Sequence, residues 1–255
     1  TLNGEGLQHQ DGHSLLMAHT NPAVRAYDPA FAFELSTIIK RGIVEMSDED
    51  VDVLYYLAVY NENYPMPPKP AGSDEGILKG LYQLRAAPKG EGPIVRLIGS
   101  GPIMLQVLDA VEKLEAVGVR AEIWSATSYG ELRRDGMDAS RWNRLHPGEE
   151  IRTSWVETQF AEGDSPIIAV SDNMAAVPEM IREWVHAPYT VLGTDGFGRS
   201  DTRTALRRFF EIDGESVALA ALSSLVRAGS IEASVYDEAM KSYGVSVDRT
   251  DITSL

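Results

Sequence analysis

Two histidines four residues apart, in a segment with three glycines and two acids, are the first residues of this chain that could do chemistry: N-G-E-G-L-Q-H-Q-D-G-H-S, residues 3–14. H-x-x-x-H spacing puts two zinc ligands on one helical face, but the metalloprotease version needs a glutamate at its second position. Gln10 stands there, and Asp11-Gly12 is a turn pair rather than helix interior. Two readings of His9 and His13 stay open from local sequence. One is a surface loop with solvated histidines. The other is a substrate-facing loop, where glycines let backbone approach a ligand and an imidazole of ordinary pKa ~6.5 donates a hydrogen bond or a proton near neutral pH.

Two further stretches carry chemical side chains. L-G-T-D-G-F-G-R-S-D-T-R, residues 192–203, invites a phosphate-binding reading, yet Gly193, Gly196 and Gly198 do not form G-x-G-x-x-G and no P-loop lysine follows. Ser200 or Asp201 is expected to cap the next helix, with Arg199 paired to an acid across an interface. Residues 133–150 mix four arginines with Trp142 and His146. Such a cluster can clamp a carboxylate or phosphate, but the favoured reading is a solvated helix face with the tryptophan tucked into an interface.

Composition narrows the classes. The 255 residues hold 23 Lys and Arg against 38 Asp and Glu, a net charge of −15, so phosphate backbones are repelled and nucleic acid is set aside. No apolar run approaches bilayer-spanning length. Without cysteine there are no disulfides, thiolate zinc sites or cysteine nucleophile, and a cytoplasmic setting is the default expectation. The chain opens on Thr1 without an initiator methionine or a signal segment, and reads as the interior of something longer.

The elements that must position these loops alternate. Ala26-Tyr27-Asp28 is followed by Pro29 and then by Phe31, Leu35, Ile38, Ile39, Ile43 and Met46 at helical spacing. V-D-V-L-Y-Y-L-A-V-Y, residues 51–60, predicts a strand buried on both faces and completes a strand-helix-strand crossover. Four prolines in residues 61–70 predict an interdomain linker. Ser73-Asp74-Glu75 predicts a helix start carrying Ile77, Leu78, Leu81 and Tyr82 inward. Short apolar strands are predicted at 93–101, 121–128, 166–172 and 189–196. Helices are predicted at 102–118, Asn173–Val185, Thr202–Phe210, Ser216–Ala228 and Ile231–Tyr243. The result is an α/β fold with a mainly parallel sheet and helices on both faces.

Taken together, T-L-N-G-E-G-L-Q-H-Q-D-G-H-S, N-E-N-Y-P-M-P-P, G-S-G-P-I-M, T-S-Y-G-E-L-R-R-D-G-M-D-A-S-R-W-N-R-L-H-P and V-L-G-T-D-G-F-G-R-S-D-T-R resemble, in matching order, the last quarter of the bacterial homodimeric-type pyruvate dehydrogenase E1 component. The resemblance implies that residues 1–67 end a transketolase-like pyrimidine-binding domain and that 68–255 form a transketolase C-terminal-like domain. It implies thiamine diphosphate and Mg2+, bound mainly by parts of the enzyme not in this chain, since the G-D-G motif with its trailing asparagine is missing. It also implies a homodimer, a partner in the lipoyl domain of the E2 acyltransferase, and decarboxylation of pyruvate in the supply of acetyl-CoA after glycolysis. His9 matches the active-site histidine that faces substrate and the thiamine-bound intermediate, and Glu5 matches a nearby loop acid. His13 contacts substrate or orders the loop. The chain alone is not expected to catalyse. The alternative is a non-catalytic dimerisation and assembly module of a transketolase-like protein. A related transketolase or another 2-oxoacid dehydrogenase is a further possibility. In the family the C-terminal domain serves assembly, so Arg199 and Asp201 are expected to be structural.

Overall fold

The computed structural model describes residues 9–249. Helix α1 (Ser14–Thr20) leads into β1 (Val24–Tyr27), α2 (Ala32–Ile43), one wider helical turn at Val44–Asp48, and β2 (Leu54–Leu57). Strands β1 and β2 pair in parallel, Val24 opposite Leu54 and Tyr27 opposite Leu57, giving the crossover expected from the sequence. Glu34 fixes the first turn of α2. Its carboxylate accepts the amides of Ala30 and Phe31 at 2.5 and 3.0 Å and the hydroxyls of Tyr82 and Ser125 at 2.6 and 2.7 Å. Burial still pushes its pKa up, but four donors supply the bonds that a carboxylate removed from water would otherwise lack.

Residues 61–70 contain neither helix nor strand. They are pinned all the same: Glu62 pairs with Arg207 at 2.6 Å, Asn61 accepts from Arg203 at 3.0 Å, and the Tyr64 hydroxyl donates to the Ala30 carbonyl.

Helix α3 (Asp74–Lys79) is shorter than expected. Gly80 takes a left-handed conformation, φ 102°, and ends it, so Leu81 and Tyr82 open strand β3 (Leu81–Arg85) instead of extending a helix. Then follow β4 (Ile94–Gly99), α4 (Met104–Glu115), β5 (Arg120–Ala126), α5 (Tyr129–Leu145), α6 (Trp155–Gln159) and β6 (Ile167–Val170). The helix expected over 173–185 is broken into α7 (Ala176–Glu179) and a tight turn at Arg182–Trp184. Pro178 lies in the first turn of α7, where its missing N–H is tolerated; the helix ends after Glu179, where the amides of Met180 and Ile181 bond back three residues to Val177 and Pro178. Strand β7 (Tyr189–Leu192) and helices α8 (Arg203–Phe209), α9 (Gly214–Arg227) and α10 (Ala233–Tyr243) complete the described chain.

The large sheet has the order β3-β5-β4-β6-β7, with only the edge strand β3 antiparallel. Its side chains alternate between two cores as the pleat requires. Val95, Leu97, Ile123, Ile168 and Val170 pack with residues of α4 and α9, whereas Ile98, Trp124, Ala126, Ile167 and Ala169 pack with Tyr129, Leu132, Val156 and Val177. Helices therefore cover both faces.

The small sheet is different. In β2, Tyr55 and Leu57 pack toward Tyr27, Ile38 and Ile77, while Leu54 is 65% exposed. Burial on both faces of β2 is thus not found, because α2 covers one face and nothing among the described residues covers the other. No helix among the described residues is long and apolar enough to cross a membrane.

Candidate functional site

The described start of the chain, the end of β2, the loops after β6 and β7, and α8 enclose a cavity of about 550 Å³. Its wall includes His9, His13, Tyr60, Asp172, Asn173 and Phe197. His9 and His13 are both exposed and both reach it. They do not share a helix, since α1 begins at Ser14. Glu5 lies outside the described residues.

Asp11 shapes the turn between the two histidines. One carboxylate oxygen accepts the amides of His13 and Ser14, each at 2.9 Å, and so satisfies the first amide of α1. Burial works against its charge, but the hydrogen bonds from Ser14 and His13, with the imidazole nearby, hold its carboxyl below the usual range. Next to His9, the Gln10 side-chain oxygen accepts the amide of Arg199 at 2.6 Å. Gly198 packs against the same side chain so closely that a Cβ would stand 2.2 Å from that oxygen. The amide of Met174 donates to the Gly12 carbonyl at 3.3 Å. Loops of the large sheet thereby hold the histidine segment on both sides.

Other expectations for this region are corrected in detail. Thr202, not Ser200 or Asp201, caps α8, its hydroxyl accepting the Ala205 amide at 3.3 Å. The Arg199 guanidinium lies 5.2 Å from the Phe209 ring centroid, a cation–π placement rather than an ion pair among the described residues. Trp142 is half-buried between the His146 ring at 3.6 Å and the Arg152 guanidinium at 3.4 Å, so its own helix and the following loop hold it.

Beneath the cavity lies Asp28, which local sequence did not single out as functional. It follows β1, is 3% exposed, and is pushed up to about 6 by burial; Tyr60, Ser100 and the neighbouring Asp172 and Glu34 modify that shift. The Tyr60 hydroxyl donates to one carboxylate oxygen at 2.7 Å and the Asn173 amide to the other at 3.4 Å. The only sequence signal was an acid closing an apolar strand just before a proline. A second titratable group, the partly buried His19, sits on α1 against Gly130; desolvation, with Arg134 nearby, lowers its pKa to about 4, and its Nε2 has no hydrogen-bond partner among the described residues. Among the described residues no cluster of three or more His, Asp or Glu is placed to hold a metal ion.

Residues 80–213 match the family model of the transketolase-like TK C-terminal domain. The chain belongs to that family. Residues 1–67 match the model of the pyruvate dehydrogenase E1 component middle domain. The chain is 49% identical to the pyruvate dehydrogenase E1 component of Pseudomonas aeruginosa over 251 residues, which is 98% of this chain and 28% of that protein. Against the same component of Mycolicibacterium smegmatis it is 48% identical, covering 96% of this chain and 27% of the relative. For Escherichia coli the figures are 43% identity, 98% and 28%. The chain therefore spans less than a third of the length of these curated relatives. Among solved structures, a transketolase variant from Pichia stipitis superposes with a TM-score of 0.62 at 20% identity, covering 89% of this chain and 29% of that one. A split gene transketolase in an inactive beta4 tetramer gives 0.53 at 17% identity, covering 87% and 63%. These two likenesses speak for the transketolase-like fold alone.

Proposed function

We propose that this chain is part of a pyruvate dehydrogenase E1 component, which decarboxylates pyruvate and passes the acetyl group to the lipoyl group of a partner acyltransferase, feeding acetyl-CoA synthesis. In this reading residues 1–67 end a pyrimidine-binding domain and 68–255 form the C-terminal domain. The exposed side chain of Leu54 on β2 faces the rest of the polypeptide. A homodimer working in the cytoplasm belongs to the same proposal.

The observation that carries the reading is the position of His9. It lines a cavity whose volume suits a small organic ligand, on a segment braced by Asp11 and Gln10. A donor held there and aimed at the oxygen of a 2-oxoacid stabilises negative charge as it develops on that oxygen. The same imidazole can hand over or accept a proton when the acyl group leaves. Glu5 and His13 belong to the same active-site loop, His13 at the wall of the cavity. Thiamine diphosphate, when bound, supplies the electron sink. In this reading its diphosphate and Mg2+ are held mainly by parts of the protein outside this chain.

The test uses the full-length protein that carries this chain. His9→Ala should retain thiamine diphosphate binding while acetylation of a lipoyl domain falls at least tenfold, about 1.4 kcal/mol in the barrier. Unchanged acetylation removes His9 from the mechanism. A full-length protein that dimerises but turns over no 2-oxoacid would favour the assembly-module reading instead.

A further inference from the structure

Asp28 occupies an unusual place in the fold. In the large sheet the chain leaves β4 for β5 on one side and later returns to β6 on the other. The crevice beyond the carboxyl ends of β4 and β6 is therefore a topological switch point, where open α/β sheets commonly take their ligands. Here Asp28 fills it from the small sheet. Its amide donates to the Thr127 carbonyl at 2.8 Å, and its carbonyl accepts the Gly101 amide at 3.0 Å. Gly101, φ 50°, comes so near that a Cβ would lie 2.5 Å from the carboxylate. Ser100 and Asn173, which follow β4 and β6, bond to the carboxylate side chain.

A carboxylate this buried is costly unless other groups bond it well. The charged groups that shift it most among the described residues are Asp172 and Glu34, both of which oppose its ionisation. The bonds that offset part of this cost come from Tyr60, Ser100 and Asn173, and two of those residues, Tyr60 and Asn173, line the cavity. Tyr60 is itself strongly perturbed, its hydroxyl proton held tightly by burial and by Asp28.

We propose that Asp28 is a positioning residue for the His9 cavity: from the end of β1 its carboxylate fixes Tyr60 and Asn173, and with them part of the cavity wall. The positioning stands on geometry alone, whereas its bearing on turnover rests on the function proposed above.

Hydrogen–deuterium exchange and steady-state kinetics on the full-length protein test both parts, with three variants. Asp28→Ala and Tyr60→Phe should raise exchange in residues 58–61 and 172–175 by about fivefold over the rest of the protein, and raise KM for the 2-oxoacid by about the same factor while kcat changes less than about twofold. Asp28→Asn keeps an acceptor for the Tyr60 hydroxyl and should restore both. Tyr60→Phe keeps the ring in place and so carries the test if Asp28→Ala does not fold. Unchanged exchange in both segments overturns the proposal, as does a rise spread evenly over the protein with KM unaltered. Local exchange changes beside a fully active His9→Ala variant would support the positioning and remove only the proposed role of His9.

Discussion

The two sheets of this protein are built from similar residues and end in different environments. Strand β4, Ile-Val-Arg-Leu-Ile-Gly, is buried along nearly its whole length, with Leu97 and Ile98 facing opposite cores. Strand β2, Leu-Tyr-Tyr-Leu, alternates between exposed and half-buried positions. The cause lies in coverage rather than in strand propensity. Both faces of β4 carry helices, whereas β2 is covered by α2 on one face only, in a sheet of two strands. An apolar run tells how much surface a strand is suited to bury, and its surroundings decide how much is buried.

Three measurements can break or sharpen that contrast. The largest effect is expected at Leu97, which has no exposed surface. Leu97→Ala should cost about 2–5 kcal/mol in denaturant unfolding; a loss below about 1 kcal/mol would mean that the large sheet is not the mechanical centre of the fold.

The next effect belongs to the seam between the sheets. Asp28, raised to about 6, holds its proton more tightly when folded, so it favours the folded state in acid and loses that contribution as pH rises from about 4 toward 6. His19, lowered to about 4, resists protonation when folded, so its contribution is intact above about 6.5 and is lost as pH falls toward 4. The two slopes oppose each other. Relative to the unaltered protein, Asp28→Asn should lose stability more steeply on acidification from pH 6 to 4, and His19→Gln less steeply, each by an amount of the order of 2 kcal/mol. Parallel stability–pH curves for all three proteins would show that neither group is buried as described.

The smallest effect is expected on the open face of β2. Leu54, 65% exposed, should tolerate substitution by Ser within about 0.5 kcal/mol in this chain. In the full-length protein the same change should weaken packing between parts of the polypeptide, read as a lower melting temperature. A large loss in the chain alone would show that the face is covered after all.

Much of the architecture was legible in sequence because it rests on local periodicity. The β1-α2-β2 crossover follows from apolar spacing around Pro29, and the parallel order of β4, β5 and β6 follows from strands alternating with helical patterns. Boundaries set by one residue's conformation were less visible. Gly80 turns what reads as a helical face into the start of β3, and what reads as one helix breaks after Glu179. At the site, His9 and His13 stood out because glycines and histidines are conspicuous side by side. Asp28 did not, because Asn173 is 145 positions away and Arg199 meets Gln10 across 189. Contacts that span the chain leave no periodic trace.

The ion pair between Glu62 and Arg207 has a bearing on how this molecule can be taken apart. The proline-rich stretch is where one would cut to obtain two separate pieces, yet one partner of a nearly dry charge pair sits in that stretch and the other on α8. Severing the chain there and parting the products would strand Arg207 on one fragment without Glu62, and leave Asp28 on the other with Tyr60 but without Ser100 and Asn173. Neither fragment is a ready-made building block, and dissection would have to carry the stretch with α8 and replace Asp28.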